Sequence, residues 1–281
     1  MIILKAFKDL TLMKKILYEE LPQSIRVLGG LHHILRNNVF QLKICVDSWP
    51  TFSTAICYHQ KQNMQIGSSF VELPYNFSIF SKNQDTLRSL LSDDKLVKWK
   101  NKIEFGVSNH HSEIVREIAS LRGLHVEDNG GYHSYINYSP EKLDMPDRKT
   151  STLATSTLNE SHAELVVQQL PYGGSNKINI VKAYIKHLPN CCVVDEKGHP
   201  VSWLLTDEFH CLRMAYTQPK YRRKSHFQDM TLTLVRQRIS EGFPVYCYLH
   251  KDNVASIGLA NKAGFTRGEE STFMYMSTSE K

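Results

Sequence analysis

Long hydrophobic runs are missing from this 281-residue sequence. No stretch of about 18 or more apolar residues is present, so we expect no membrane-spanning helix. The first residues are apolar, but Lys5 and Lys8 interrupt them too early for a secretory signal peptide. Apolar residues three or four positions apart instead predict an amphipathic helix over residues 8–21.

Paired cysteine motifs are missing as well. The six cysteines form no CxxC pair, and the one close pair, Cys191 and Cys192, is adjacent, which is a spacing that structural zinc sites do not use. We therefore expect reduced, mostly buried cysteines in an intracellular protein, and no metal site.

The sequence also lacks the motifs of several common enzyme classes. It has neither glycine fingerprint of nucleotide-binding proteins and no G-x-S-x-G, which excludes dinucleotide, nucleoside triphosphate and serine hydrolase chemistry. The net charge is +6, yet lysine and arginine are spread along the chain without a long basic tract. We therefore expect no nucleic acid partner, and the positive charge suits a small anionic ligand.

A polar stretch at residues 139–161 contains two prolines and many serines and threonines, and it has no apolar periodicity. We interpret it as a linker between two domains, residues 1–145 and 146–281. In the first domain, the patterns predict helices over residues 8–21, 84–96 and 109–122. They predict strands in "RVLGGLHHILR", "FQLKICVDSW", "TFSTAICYHQ" and "GGYHSYINYS".

The second domain begins with two predicted helices, in "SHAELVVQQLPYGG" and "NKINIVKAYIKHLP". A hairpin in "CCVVDEKGHPVSWLLTD" and a strand in "FHCLRMAYTQP" follow. Residues 226–241 and 253–262 are predicted as helices, with "FPVYCYLH" as a strand between them and "FMYMSTS" as the last strand. Antiparallel strands leading into βαβ crossovers predict an α/β fold with a mixed sheet.

Several of these segments resemble a known family. "NCCVVDEKGHPVSWLLTDEFHCLRMAYTQPKYRRK", "VDSWPTFSTAI" and "YGG" at 172–174 resemble the glycine N-acyltransferase-like family. "GFPVYCYLHKDNVASIGLANKAGF" resembles an ending shared across the GNAT N-acyltransferase superfamily. The resemblance spans nearly the whole chain. It implies an α/β (α+β) fold of two GNAT-like domains, with mixed, mostly antiparallel sheets flanked by helices, and it assigns the cofactor-binding features to the second domain.

The resemblance also implies an activity, which is transfer of an acyl group from acyl-coenzyme A to glycine or another small amino acid without a covalent enzyme intermediate. Acyl-coenzyme A is then a co-substrate, and no permanently bound cofactor is expected. Two alternatives stay open: a non-catalytic acyl-coenzyme A-binding member that has lost its base, and a protein or polyamine acetyltransferase. We expect a monomer, located in the mitochondrion by resemblance to the family or, alternatively, in the cytoplasm.

In GNAT enzymes the pyrophosphate of coenzyme A lies in a loop at a helix N-terminus, where backbone N–H groups and the positive helix end hold it. The matching positions here are Arg222, Arg223, Lys224, Ser225, His226 and Phe227. Ser225 stands where glycine is usual, and a left-handed backbone would cost a serine about 1 kcal/mol. The alternative is a solvated basic turn.

The strand before this loop resembles the GNAT strand whose backbone contacts the pantetheine and the thioester. Met214, Ala215 and Tyr216 are the predicted contacts, although an ordinary buried strand would look the same. Asn253 is expected to cap the last helix, and cofactor contact is an open second role. Ala260 stands near the place where many relatives have a tyrosine that protonates the departing thiolate, and Tyr248 is an alternative donor.

The general base is the open question of the sequence. Family enzymes carry a glutamate that aligns with Cys211, and a thiol is a poor base unless its pKa is lowered. Glu208 and His210 are nearby candidates, which strand alternation would place on the face opposite Cys211. A histidine has the better intrinsic pKa near neutrality, but a lone histidine on a strand is often structural. A shifted base, a slow enzyme and a loss of catalysis therefore remain alternatives.

Overall fold

The computed structural model describes residues 1–61, 63–66, 69–73, 75–101, 103–138, 152–170 and 177–278. The predicted domain boundary at 145/146 and the "YGG" at 172–174 lie outside these residues. The chain forms two compact units, and neither is continuous in sequence. Unit 1 comprises Met1–Met64, Glu72–His133 and Gly268–Lys281, and unit 2 comprises Gln65–Val71 and Ser134–Arg267.

Unit 1 contains a mixed sheet with four helices. The helices are α1 (Phe7–Glu19), α2 (Ile25–Arg36), α3 (Gln84–Ser92) and α4 (Asn109–Leu121). The strands, in their order across the sheet, are β1 (Ile2–Leu4), β2 (Leu42–Val46), β3 (Thr54–His59), β6 (Tyr75–Ser81), β7 (Ile103–Ser108), β14 (Thr266–Thr278) and β8 (Leu124–Asn137). Strands β6 and β7 are parallel, and the pairs β1/β2, β2/β3, β3/β6 and β7/β14 are antiparallel. Two short strands, β4 (Asn63–Ile66) and β5 (Ser69–Glu72), form a separate hairpin, most of which belongs to unit 2.

The strand predicted for "RVLGGLHHILR" is wrong, because this segment is helix α2. Every residue from Ile25 to His33 is buried, including the charged Arg26. The apolar residues of this segment recur three or four positions apart, which is the spacing of a helix, so the strand prediction misread the pattern. They are Val27, Leu28, Leu31, Ile34 and Leu35. The helices predicted near α1, α3 and α4, and the strands predicted near β2, β3 and β8, are confirmed.

Unit 2 contains antiparallel strands and, among its described strands, one parallel βαβ crossover. Its helices are α5 (Ala163–Gln168), α6 (Ile178–His187), α7 (His226–Ser240) and α8 (Val254–Lys262). Its strands, in sheet order, are β13 (Val245–His250), β12 (Cys211–Thr217), β11 (Pro200–Thr206), β10 (Asn190–Val194) and β9 (Thr155–Ser156). Only β12 and β13 pair in parallel among these strands, and with α7 between them they form the crossover β12–α7–β13. The α/β fold with mixed, mostly antiparallel sheets is therefore confirmed.

The sheet of unit 2 is covered by α7, whose apolar face packs into the core. Met230, Leu234 and Val235 are fully buried, together with Val193 and Val245 of the strands. Burying aliphatic side chains of this size stabilises the fold by about 1.5–3 kcal/mol each, as an upper estimate. This packing fixes the N-terminus of α7 beside the end of β12. Among the helices of the described ranges, none is both long and apolar enough to cross a membrane.

Candidate active site

The two parallel strands of unit 2 separate soon after they meet. Pairing between β12 and β13 consists of Cys211 with Tyr246 and Leu212 with Cys247. On the other side of β12, the register with β11 shifts, so that Leu204 faces both Met214 and Ala215. Met214 has a φ of 54°, which is the left-handed conformation of a bulged residue. The bulge bends β12 and takes backbone groups out of the regular ladder.

A cavity of about 260 Å³ lies where the strands separate. Its wall is largely apolar, built from leucines of β11, β12, β13 and α8 together with the aromatic rings of Phe227 and Phe265. The polar groups on the wall include Arg213, Tyr248 and Asn253. A concave, mostly apolar wall with few polar groups is typical of a small-molecule site.

Four of the predicted cofactor contacts line this cavity: Met214, Ala215, Phe227 and Asn253. The other six are not among its lining residues: Tyr216, Arg222, Arg223, Lys224, Ser225 and His226. Tyr216 lies near the end of β12, and the other five lie in the loop before α7 and at its first residue. The prediction therefore covers two regions: the cavity wall, and the loop that begins the next helix.

Ser225 adopts the backbone conformation that the predicted phosphate loop requires. It has a φ of 63° and a ψ of 1° at the N-cap of α7, and Arg223 has a φ of 61°. The Ser225 side chain makes no capping hydrogen bond. The first N–H groups of an α-helix have no partner within the helix, and together with the helix dipole they attract anions. This helix start therefore has the geometry of an anion cradle without glycine.

Cationic side chains surround this helix start. Arg222, Arg223 and Lys224 are exposed, and Arg222 Nε donates a 3.0 Å hydrogen bond to the Thr217 carbonyl. The Lys224 ammonium lies 5.6 Å from the centre of the Tyr221 ring. The His226 side chain is buried, and burial together with the charge of Lys224 lowers its pKa. The positive charge of the loop therefore comes from Arg222, Arg223 and Lys224. His226 favours its neutral form.

The three predicted catalytic residues, Cys211, His210 and Glu208, are buried and are not among the residues that line the cavity. Residues 207–210 form a turn, in which His210 N donates to the Asp207 carbonyl at 2.8 Å. Strand β12 begins only at Cys211, so Glu208 and His210 precede the strand. The prediction that strand alternation places them on the face opposite Cys211 is therefore wrong.

Glu208 accepts a 2.5 Å hydrogen bond from the Tyr184 hydroxyl. Burial and the charge of Glu208 raise the pKa of Tyr184 well above its usual range. The His210 ring lies 5.7 Å from that of Phe243. Glu208 therefore forms a buried polar pair with Tyr184, and the His210 ring packs beside an aromatic side chain.

Sequence reasoning missed Asp207, which organises this turn. Its Oδ1 accepts hydrogen bonds from Phe209 N at 3.0 Å and Cys211 N at 2.9 Å. Its Oδ2 lies 3.4 Å from Arg213 Nη1. An aspartate that bonds the backbone two residues later is the usual start of such a turn. The pattern could therefore have indicated the turn, but not the ion pair.

Helix α8 starts at the predicted cap and ends at a glycine. The Asn253 side chain accepts a hydrogen bond from Ser256 N at 3.2 Å, which confirms the predicted cap. Gly264 has a φ of 75°, and Phe265 N donates to the Ala260 carbonyl at 3.0 Å, as expected of a helix C-cap. Tyr248 and Ala260 both line the cavity.

All six cysteines are buried and none is in a disulfide, as predicted. Cys247 lies on the cavity wall, and burial raises its pKa to about 12. A thiol with this pKa is almost entirely protonated near neutrality, and it is the thiolate that acts as a nucleophile. We therefore interpret Cys247 as a structural residue of the cavity wall and not as a nucleophile.

Two solved structures share the fold of this chain. The chain superposes on a Drosophila protein of known structure with a TM-score of 0.79, at 16% identity over 99% of both chains. It also matches a tandem GNAT protein from the clavulanic acid biosynthesis pathway, with a TM-score of 0.54 at 12% identity over 100% of this chain and 98% of that one. At these low identities the two likenesses show that the chain shares the fold of these proteins.

Sequence comparison identifies the family. The profile described as aralkyl acyl-CoA:amino acid N-acyltransferase matches residues 1–191, and the profile of its C-terminal region matches residues 191–269. The chain belongs to this family, and it is accordingly an enzyme of acyl-CoA-dependent amino acid N-acylation.

Curated relatives match along most of their length. Mouse glycine N-acyltransferase is 27% identical over 90% of both chains. Human glycine N-acyltransferase-like protein 2 is 26% identical over 94% of both chains. Bos taurus glycine N-phenylacetyltransferase is 26% identical over 87% of this chain and 88% of its own.

Proposed function

We propose that this chain transfers the acyl group of an acyl-coenzyme A to glycine or another small amino acid within one ternary complex. The observation that carries the proposal is the apolar cavity between β12 and β13, followed in the chain by the cationic start of α7. Glycine is the acceptor in the names of the relatives, and one of these names specifies an aralkyl donor, phenylacetyl.

In this proposal the donor extends from the loop to the cavity. The diphosphate binds the first-turn amides of α7, with Arg222 and Arg223 as counter-charges. The pantetheine and thioester contact the backbone of Met214 and Ala215, at the bulge where β12 leaves the ladder. Phe227 and Asn253 form the adjacent wall.

The chemical step needs a neutral amine and a departing sulfur. The amine nitrogen attacks the thioester carbon, a C–N bond forms, and the C–S bond breaks with its electron pair on sulfur. One amine proton is lost and one proton is gained by the sulfur, so the products are an amide and free coenzyme A. Tyr248, on the cavity wall, is the proposed donor to the sulfur, and it is reprotonated through solvent.

The predicted bases do not touch this space directly. Because Cys211, His210 and Glu208 do not line the cavity, any of them would receive the amine proton through an intervening water molecule. The protonated state of Cys247 favours direct transfer over an acyl-cysteine intermediate. Incubation with donor alone should therefore give no burst of thiol release and no acylated cysteine by mass spectrometry.

The decisive test is a thiol-release screen of benzoyl-, phenylacetyl- and long-chain acyl-coenzyme A against several amino acids. We expect acceptor-dependent release with glycine or another small amino acid, and the matching N-acyl amino acid by mass spectrometry. Retained coenzyme A binding in calorimetry without thiol release from any pair would instead support a non-catalytic acyl-coenzyme A-binding protein.

The proposal extends to a monomer in the mitochondrion. Its support is the family resemblance alone. Light scattering of the purified chain tests the oligomeric state, and fractionation of cells that express the full chain tests the compartment.

A further inference from the structure

Arg213 is the charged residue on the wall of the cavity. Among the described residues that line this space, the others are apolar or neutral. Its side chain is 44% exposed, whereas that of its partner Asp207 is 1% exposed. A cation facing an apolar cavity is not needed to bind an acyl chain, so it points to an anionic group on a substrate.

Asp207 gives this guanidinium a defined position. Asp207 is itself held by the amides of Phe209 and Cys211, and its second oxygen faces Arg213 at 3.4 Å. A guanidinium carries five N–H donors in a rigid plane, so it can hold one carboxylate in the protein and bind another on a ligand. A lysine ammonium lacks this fork geometry.

Arg213 lies close to the proposed thioester contact, as the carboxylate of an amino acid lies close to its amine. Arg213 immediately precedes Met214, whose backbone is the proposed contact of the thioester. The carboxylate of an α-amino acid is separated from its amine by one carbon atom. When the amine attacks the thioester, the carboxylate must therefore lie beside the same stretch of β12.

We infer that Arg213 binds the carboxylate of the amino acid acceptor and thereby selects amino acids over amines that lack it. Asp207 is a positioning residue, which orients the guanidinium. The inference rests on the proposed function and specifies its acceptor. It differs from a role in donor binding, because the proposed phosphate contacts are in the loop at 222–227, beyond the end of β12.

The experiment compares glycine with glycinamide, which keeps the amine and loses the negative charge. The enzymes are wild type, Arg213→Gln, Arg213→Lys and the control Arg236→Gln, which removes an exposed arginine of α7 that is outside the cavity lining. We expect wild type to favour glycine, and Arg213→Gln to raise the KM for glycine about 10- to 100-fold, as for loss of a charge-assisted hydrogen bond. The KM for acyl-coenzyme A and the rate with glycinamide should stay unchanged.

Arg213→Lys should recover part of the preference for glycine, and it serves as the folded variant if Arg213→Gln does not fold. Equal losses with glycine and glycinamide, or a raised KM for acyl-coenzyme A, would overturn the inference. If wild type releases no thiol with any acceptor, the proposed function fails, and calorimetry of glycine with the coenzyme A complex decides the inference. Binding by wild type that is lost in the arginine variants supports it, and equal binding overturns it.

Discussion

The two units each contain a parallel strand–helix–strand crossover, and the two crossovers differ at the point where the strands end. In unit 1, β6 and β7 stay paired over four positions, from Tyr75 with Ile103 to Ser78 with Gly106. In unit 2, β12 and β13 share two positions before they separate. The residue after the last pair is Val107 in unit 1, which is buried in the core, and Tyr248 in unit 2, which lines the cavity.

The strand end of unit 1 is filled by its own polar groups. The Thr54 hydroxyl lies 2.8 Å from that of Ser81 and 2.6 Å from that of Thr86. His111 Nε2 lies 3.0 Å from the Ser81 carbonyl oxygen. Groups that satisfy one another across a strand end stabilise the unit. In unit 2 the corresponding end opens on a cavity of about 260 Å³.

The helix starts show the same contrast. Asn83 has an extended backbone, and its side chain accepts hydrogen bonds from Asp85 N at 2.9 Å and Thr86 N at 3.1 Å. Ser225 is left-handed, and its side chain makes no capping bond. One helix N-terminus is capped by a side chain of its own crossover, and the other has no side-chain cap.

The largest expected effect is on kcat and concerns Tyr248, the proposed proton donor. Unit 1 has Val107 at the matching position. Tyr248→Phe should lower kcat about 100-fold, at the low end for loss of a general acid, since a coenzyme A thiolate is a good leaving group. Coenzyme A affinity should not change. Steady-state thiol release and calorimetry measure the two quantities, and an unchanged kcat would exclude Tyr248 as the proton donor.

Next in size is the effect of the loop cations. The double variant Arg222→Ala/Arg223→Ala should weaken coenzyme A binding about tenfold, since exposed charges are screened by solvent. The control is Lys82→Ala, which removes the cation before α3 in unit 1 and should leave the affinity unaltered. Calorimetry at two salt concentrations would show a weaker salt dependence in the double variant. Equal affinities in all three proteins would remove the loop from the site.

Substitutions at the two helix caps should change stability in opposite directions. Asn83→Ala should lower the free energy of unfolding by about 1 kcal/mol, because two amides lose their cap. Ser225→Gly should raise it by about 1 kcal/mol, because glycine adopts a positive φ without strain. Urea unfolding of both variants measures these changes. A destabilised Ser225→Gly would mean that the serine side chain has a structural role.

The smallest effect per residue is on stability at mildly alkaline pH. Burial raises the pKa of Cys45 in unit 1 to about 12, and in unit 2 that of Cys191 to about 12, of Cys192 to about 11 and of Cys247 to about 12. Because the folded state keeps these thiols protonated, their contribution is present below pH 9 and is lost as pH rises towards 11–12. At pH 9 we expect a loss of about 0.4–0.8 kcal/mol per thiol, for an unfolded-state pKa of about 8.5–9. Urea unfolding between pH 7 and 10 measures it, and stability that rises with pH would contradict the burial of the thiols.

Local patterns predicted unit 2 well because its elements are amphipathic and separated by recognisable turns. The hairpin, α7, the Asn253 cap and the Gly264 C-cap all follow from residues close in sequence. Two features depend on contacts between distant residues and could not be predicted: the return of β14 to unit 1, and the hydrogen bond of Tyr184 with Glu208. The helix α2 could have been predicted, because its apolar residues have helical spacing. The predicted cradle required a left-handed backbone at Ser225. A sequence cannot show that a serine adopts this conformation.

The proposed function depends on the binding of acyl-coenzyme A where β12 and β13 of unit 2 separate. Hydrogen–deuterium exchange with and without coenzyme A tests this most directly, because it reports on both crossovers in one experiment. The account predicts slower exchange at residues 213–216 and at the amides that follow Ser225, with no change at residues 81–86. Protection at the start of α3, or none at the start of α7, would contradict it.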